Sequence, residues 1–349
     1  MNYLGQPKQI RLAKKILLTT ISAWLLALAF GCLPAEAQSF AYVANESSND
    51  VSVINTATNT VVATVPVGLT PFGVAITPNG AFAYVMNFNS DDVSVINTAT
   101  NTVVATVTGL NEPAGVAITP NGAFAYVTNF RLAVSNVSVI NTSSNTVVAT
   151  VPVGLNPREV AITPNGAFAY VTNLSSNDVS VINTATNTVV ATVTGLNGPA
   201  VVAITPNGAF AYVANQDSTN VAVINTATNT VVATVTVGGG PNGSGPHGVA
   251  ITPNGAFAYV TILSSSNVAV INTASNTVVA TVPVGLGPFG VAVANIPSKC
   301  REDDGEDVEG EGHEKGDDGH EKRDDGHQKR KRPCKHTGEM DFDKEHRDH

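Results

Sequence analysis

Apolar residues in the middle of this chain come in short runs broken by polar reversals. Residues 113–153 show the pattern: Gly115-Val-Ala-Ile-Thr119, Phe124-Ala-Tyr-Val-Thr128, Val137-Ser-Val-Ile140 and Thr146-Val-Val-Ala-Thr-Val-Pro-Val153. Each run is rich in β-branched and aromatic residues and bounded by Gly, Pro, Asn or Ser, which predicts four strands, here termed A to D. No run sustains a 3.6-residue apolar period, so helices are not expected. The connectors agree. Thr77-Pro-Asn-Gly80 supplies a proline where a turn wants φ near −65° and a glycine where it wants freedom. Asn55-Thr-Ala-Thr-Asn59 is a second tight reversal. Connections this short imply antiparallel neighbours. Strand A is apolar on both faces and is expected to be fully buried. Strand D carries Pro66, Pro152 and Pro283, which cannot donate to a ladder, so D is expected at the exposed edge.

The pattern repeats. Ala-Ile-Thr-Pro-Asn-Gly-Ala-Phe-Ala-Tyr-Val begins at Ala75, Ala117, Ala161, Ala203 and Ala250, in steps of 42, 44, 42 and 47 residues. A four-stranded unit of this length, repeated, is the mark of a β-propeller blade. Six B-C-D sets begin at Phe40, Phe82, Phe124, Phe168, Phe210 and Phe257. Six A strands are centred at Val74, Val116, Val160, Val202, Val249 and Val291. The first set lacks a preceding A strand and the last A strand lacks a set. The expected fold is therefore all-β: a six-bladed propeller of four-stranded antiparallel blades, closed by Val291–Val293 pairing with the first B strand. Closure of this kind removes two exposed edges. A linear β-solenoid would leave both half-repeats unpaired and would want capping units.

At these residues the chain resembles the YVTN family of β-propellers, related to surface-layer proteins. The hallmark tetrapeptide stands at Tyr126–Asn129 and Tyr170–Asn173, with close variants at Tyr42–Asn45, Tyr84–Asn87 and Tyr212–Asn215. The last blade departs from it as Tyr259-Val-Thr-Ile262, and the usual Val-Ile-Asp-Thr reads Val-Ile-Asn-Thr throughout. The likeness spans about residues 40–295. It implies a binding or structural module, at or near the cell surface. Relatives with seven blades are common in such a family, although nothing in residues 296–349 reads as a further blade. A tryptophan-aspartate propeller is excluded, because the single tryptophan is Trp24.

Charge divides the chain. Residues 38–299 hold three basic and eight acidic side chains, whereas residues 300–349 hold 11 and 18. Three regions follow. Residues 1–37 read as a signal peptide: a basic start (Lys8, Arg11, Lys14, Lys15), an apolar run from Ile16 to Phe30, and Ala35-Glu36-Ala37 for cleavage. A membrane anchor competes with this, but the run is short and interrupted by Thr19, Thr20 and Ser22. The expected location is periplasmic, extracellular or cell-surface, with no membrane span after signal removal. Residues 38–297 are the propeller. Residues 298–349 are too charged to bury a core and are expected to be disordered. Cys300 and Cys334 either pair or stay free. His313, His320 and His327 recur every seven residues among acids, which suits loose divalent-metal binding or simply a solvated tail.

Near-identical repeats allow an internal comparison. The A–B and C–D turns hardly vary, and alternation of strand direction puts them on one face. The B–C and D–A loops lie on the other face, and there the repeats differ. After the recurring proline of the D–A loop stand Phe72, Ala114, Arg158, Ala200, His247 and Phe289. Phe72, Arg131, Arg158, His247 and Phe289 are the candidate ligand contacts, since loops on a rigid scaffold commonly carry binding. The competing reading is drift of unconstrained loops. The partner expected is a protein or a surface polymer. Catalytic residues and cofactors are not expected, since the propeller holds one histidine, no cysteine before Cys300, and scattered acids; the alternative is a lactonase-like or quinoprotein-like enzyme in the propeller channel. Arg158 and Glu159 are expected to form a local ion pair. Asn89–Asp92 reads either as a calcium loop or as a solvated one. Basic patches with interleaved aromatics are absent, so nucleic acid is not an expected partner.

Overall fold

The computed structural model describes residues 39–240 and 242–293. The expected signal peptide and the charged tail, with the tail histidines, Cys300 and Cys334, lie outside the described residues. Within them the strands group into six antiparallel sheets. Five are four-stranded in the order A-B-C-D: blade 2 (residues 71–107), blade 3 (113–152), blade 4 (157–193), blade 5 (199–236) and blade 6 (246–283). Blade 1 (residues 40–66) has B, C and D only. Strands of blade 3 run Pro113–Ile118, Phe124–Asn129, Asn136–Asn141 and Thr146–Pro152, within two residues of the sequence expectation.

The core lies between blades rather than inside them. One cluster joins Tyr126, Val137, Val139 and Val151 of blade 3 to Val160, Ala169, Val171 and Ile182 of blade 4. Equivalent clusters fill the other four junctions from blade 1 to blade 6. A flat four-stranded sheet cannot bury its own face, so each blade is stabilised by the next, at roughly 25 cal/mol per Å² of apolar area covered.

Each letter of the Tyr-Val-Thr-Asn strand has a separate task. The Tyr170 hydroxyl donates 2.6 Å to Asn229 Oδ1, in the C–D turn of the next blade. Tyr42, Tyr84, Tyr126 and Tyr212 do the same with Asn101, Asn145, Asn187 and Asn276. These asparagines sit at φ of 52–54°, a left-handed position that asparagine tolerates well. The valine packs in the inter-blade core. The Thr172 hydroxyl accepts from Glu159 N (3.1 Å) and donates to Ala200 O of the following A strand (2.9 Å). Asn173 Nδ2 donates to Asp178 Oδ1 (2.6 Å) and Ser180 Oγ (2.8 Å), fixing the B–C corner. The Val-Ile-Asn-Thr asparagine instead caps its own turn, with Asn183 Oδ1 accepting from Ala185 N and Thr186 N.

Burial pushes the hydroxyls of Tyr84, Tyr126, Tyr170 and Tyr212 up to about 12. A raised acid contributes stability that is present below its unfolded value near 10 and is lost as pH rises through the folded value. An alkaline ultraviolet titration is therefore expected to show these phenols silent at pH 10.5, with ionisation arriving together with unfolding near pH 12. A smooth titration centred on pH 10 would contradict the buried clasp.

One expectation needs correction. The A strands are only partly buried, as in Pro157–Ile162, where Pro157 and Val160 are buried and the rest half-exposed. Each packs on its own B strand and on the neighbouring A strands, and its remaining side is left partly exposed. Pairing of Val291–Val293 with the first B strand is not among the strand pairs of the described residues. Phe40–Asn45 pairs with Asp50–Asn55 alone, and residues 284–293 carry no strand. The segment does begin to occupy an A-strand place, since Phe289 O accepts from Thr261 Oγ1 at 2.9 Å, as Ala200 O does from Thr172.

Candidate functional site: the variable loop face

The residue after each D–A proline is placed by a β-bulge. In blade 4, Pro157 pairs with Asn173 and Val160 with Val171, so Arg158 and Glu159 together oppose Thr172. Blades 2, 3 and 6 carry the same irregularity, at Phe72-Gly73, Ala114-Gly115 and His247-Gly248. A bulge inserts one unpaired residue and re-aims its side chain. Glycine follows for a steric reason. A Cβ on Gly248 would lie 2.5 Å from Phe289 O, and one on Gly115 would lie 2.6 Å from Arg158 O.

Three of the five sequence candidates converge. Arg158 Nη2 lies 3.1 Å from His247 Nε2, and Arg158 Nη1 donates 2.9 Å to Gln216 Oε1. The Phe289 ring lies 3.8 Å from the His247 ring between centroids, and Arg158 Cζ lies 5.8 Å from the Phe289 centroid. Arg158 reaches across a blade to do this. The intervening position is Ala200, fully buried and small.

A guanidinium has no acceptor atom, so Nε2 must accept its hydrogen bond, and the Nδ1 position carries the ring hydrogen. Nδ1 is buried and has no partner among the described residues. His247 itself is 3% exposed. Burial, and then the neighbouring Arg158, push its imidazole down to about 4, so it is neutral at physiological pH. Burial also lowers Arg158, with Glu159 and Asp217 opposing that shift.

The expected Arg158–Glu159 ion pair is not formed. Among the described residues the ion pairs belong to Arg131. Adjacent residues of an extended chain point to different sides. The Glu159 carboxylate accepts instead from Val160 N (3.1 Å) and lies against Gly115. Burial pushes it up to about 7, with the Val160 N–H and Arg158 pulling the other way.

The profile of the family described as "Lactonase, 7-bladed beta-propeller" matches residues 78–190 and 183–282, together more than half of the chain. The chain belongs to that family. Among solved structures, a chain of Kuenenia stuttgartiensis hydrazine synthase superposes with a TM-score of 0.66 at 26% identity, covering 72% of this chain and 85% of that one. No curated protein sequence matches. The described residues of this lactonase-family propeller form six sheets, against seven blades in the family description.

The other two candidates lie apart from the Arg158 corner. Phe72 starts an aromatic row, 6.4 Å from Phe88, which is 6.1 Å from Phe130. Arg131 bridges loops, with Nε 3.1 Å from Glu112 Oε1 and Nη2 3.4 Å from Asp91 Oδ2. Such exposed pairs are worth about 0–1 kcal/mol, so Arg131 reads as a loop tie. Asn89–Asp92 is likewise spent on packing: Ser90 Oγ accepts from Leu69 N, and Asp91 Oδ1 from Glu112 N. Among the described residues no three His, Cys, Asp or Glu side chains cluster to hold a metal.

Gln216 was not singled out from the sequence. A partial signal was present, since the residue in its place is Phe88, Phe130, Leu174 and Leu263 in four of the other blades, and Glu46 in the first. The glycine-rich loop holds it. Gly245 N donates to Gln216 O (2.9 Å), and Gly243 N donates to Asp217 Oδ1 (2.6 Å).

Proposed function

We propose that this lactonase-family propeller is an exported binding module rather than a catalyst, working outside the cytoplasm or at the cell surface. It captures a protein or surface polymer through the B–C and D–A loop face. The observation that carries this reading is the convergence of Arg158, Gln216, His247 and Phe289, four residues from four different loops, at the one face where the repeats differ. The opposite face repeats Thr-Pro-Asn-Gly, and its polar atoms are consumed internally. Thr163 Oγ1, for instance, donates to Asn165 Oδ1 and accepts from Phe168 N. The state of His247 also favours binding: its basic lone pair already accepts from Arg158, which makes it a poor general base. Export rests on the basic and apolar pattern of residues 1–37.

Arg158→Ala is expected to weaken capture of partners from the native envelope at least tenfold, with Phe72→Ala having a smaller effect. Asn165→Ala on the constant face is expected to leave capture unchanged at temperatures where the fold holds. Equal loss from Asn165→Ala would reverse the assignment of faces.

A lactonase-like enzyme is the second reading, favoured by the family match and by Glu159, a carboxyl held near 7 as a general base would be. Lactone hydrolysis by the purified protein that is abolished in Glu159→Gln would establish it.

The reading further holds that six blades close through the chain's own end. Val43 is 41% exposed, whereas Val85, Val127, Val171, Val213 and Val260 at the same place are fully buried. Val282 is 43% exposed, whereas Val65, Val107, Val151, Val193 and Val235 are at most 5% exposed. Leu286 is 95% exposed, although its counterparts Leu69 and Leu155 donate their N–H to Ser90 and Ser176. The repeat puts Ser48 in that place for Leu286. Docking residues 288–293 beside the first B strand would cover all three.

A further inference from the structure

Arg158 and His247 form a corner that is short of acceptors. The guanidinium has five N–H donors. Its hydrogen bonds to side chains go to two neutral atoms, Gln216 Oε1 and His247 Nε2. No carboxylate among the described residues lies within ion-pair distance of it. The tautomer that this arrangement dictates leaves His247 Nδ1–H buried without an acceptor. A buried charge is ordinarily paired, and a buried donor ordinarily satisfied. Here one cation is bonded only to neutral acceptors, and the imidazole beside it keeps one buried N–H without an acceptor, and both call for an electron-rich group.

We infer that the corner between Arg158, Gln216 and His247, covered by Phe289, is a binding site for one carboxylate group of a small organic acid, and that its occupancy fastens residues 284–293 onto blade 6. This rests on the binding reading above and names the ligand chemistry of the same face.

The charge balance selects a carboxylate. The corner has one full cation, a neutral imidazole and a neutral amide, with Glu159 and Asp217 nearby. Glu159 and Asp217 already offset part of the Arg158 charge, so the corner tolerates at most one added negative charge, and a phosphate dianion would exceed what one guanidinium neutralises. Planarity agrees, because the guanidinium fork and a carboxylate are geometrically matched. The surroundings favour an organic tail: Ala114 and Ala200 flank Arg158 in the inner row, and the half-exposed Phe289 ring roofs the imidazole.

The coupling follows from where Phe289 lies. It belongs to the segment after the last strand, and its contacts at this corner are with the His247 ring, the Arg158 guanidinium, the Thr261 hydroxyl and the backbone at Gly248. An acid held on the free donors of Arg158, beside its contact with His247, therefore lies under Phe289 and stabilises the docked segment. The ionisable groups near enough to act on Arg158 electrostatically are Glu159, Asp217 and His247. Burial pushes the Glu159 carboxyl, one residue along the bulge and turned away from the guanidinium, up to about 7, so its negative charge appears as pH rises and affinity falls with it.

The test is calorimetric titration of the full mature protein with sodium benzoate and sodium acetate, at constant ionic strength, at pH 6.0 and 8.5. One-to-one binding is expected, tighter for benzoate, and about tenfold weaker at pH 8.5. The pH effect should vanish in Glu159→Gln, which keeps the corner intact and serves if Arg158→Met does not fold. Arg158→Met should lose binding at least tenfold. Saturating benzoate should also protect the backbone amides of residues 285–291 from hydrogen exchange. Absence of saturable binding at pH 6.0, or equal binding by Arg158→Met, would overturn the inference. Should benzoate fail while Arg158→Ala still abolishes envelope capture, the binding module stands and only its carboxylate specificity falls.

Discussion

Tyr170→Ala is expected to destabilise the protein by about 4 kcal/mol, and Tyr170→Phe by about 1 kcal/mol. The two substitutions separate the two tasks of one side chain. The ring is fully buried and packs with Val179, Val181, Val193 and Ile224, so truncation leaves a cavity between blades 4 and 5. The hydroxyl donates to Asn229 Oδ1 at 2.6 Å and approaches Thr226 O at 3.3 Å, tying blade 4 to the C–D turn of blade 5. Phenylalanine keeps the packing and leaves the Asn229 acceptor to water, since that turn is at the surface. Urea denaturation followed by tyrosine fluorescence and circular dichroism measures both. Nearly equal losses would mean that the hydroxyl, not the ring, dominates. The same alanine change at Tyr42 should cost less, because Tyr42 is only half-buried on the open side of blade 1.

The architecture was legible because the repeats state it six times. Strand limits, turn residues and edge prolines each follow from local chemistry: Gly80 at φ 71° and Asn59 at φ 53° are where the turn signals put them. The site was legible only as a set of differences. Phe72, Arg131, Arg158, His247 and Phe289 share a face, yet the structure gathers only the last three. Two facts decide that grouping and neither is visible in a linear pattern. Arg158 bypasses Ala200 to meet residues one and two blades away, and the bulge turns Glu159 away from it. Gln216 was overlooked because a lone amide in a polar loop carries no chemical signature until a guanidinium is seen beside it.

Locking the chain's two half-repeats together is the second large effect. In Val43→Cys/Val291→Cys, with Cys300 and Cys334 changed to serine, oxidation is expected to give an intramolecular disulfide and to raise stability by about 3–5 kcal/mol. The positions follow from register. Val74 pairs with Val85 and Ala75 with Tyr84 in blade 2, so the same repeat positions set Val291 opposite Val43 and Ala292 opposite Tyr42. A loop of this length removes much unfolded-state entropy when closed, and the cross-link fits only if the strands lie side by side. Tyr259 gives an independent reading of the same closure. Its hydroxyl has no partner among the described residues, whereas the other five blade tyrosines each reach the next blade's turn asparagine. Closure would hand it Asn59, the equivalent residue of blade 1. Tyr259→Phe should then cost about 1 kcal/mol, as Tyr170→Phe does. An unchanged stability in Tyr259→Phe, together with disulfides formed only between chains, would mean that the open edge of blade 1 is met by another copy. The gap would then be wide enough for the seventh blade of the family description, and Phe289 would be a visitor to the Arg158 corner rather than part of its wall.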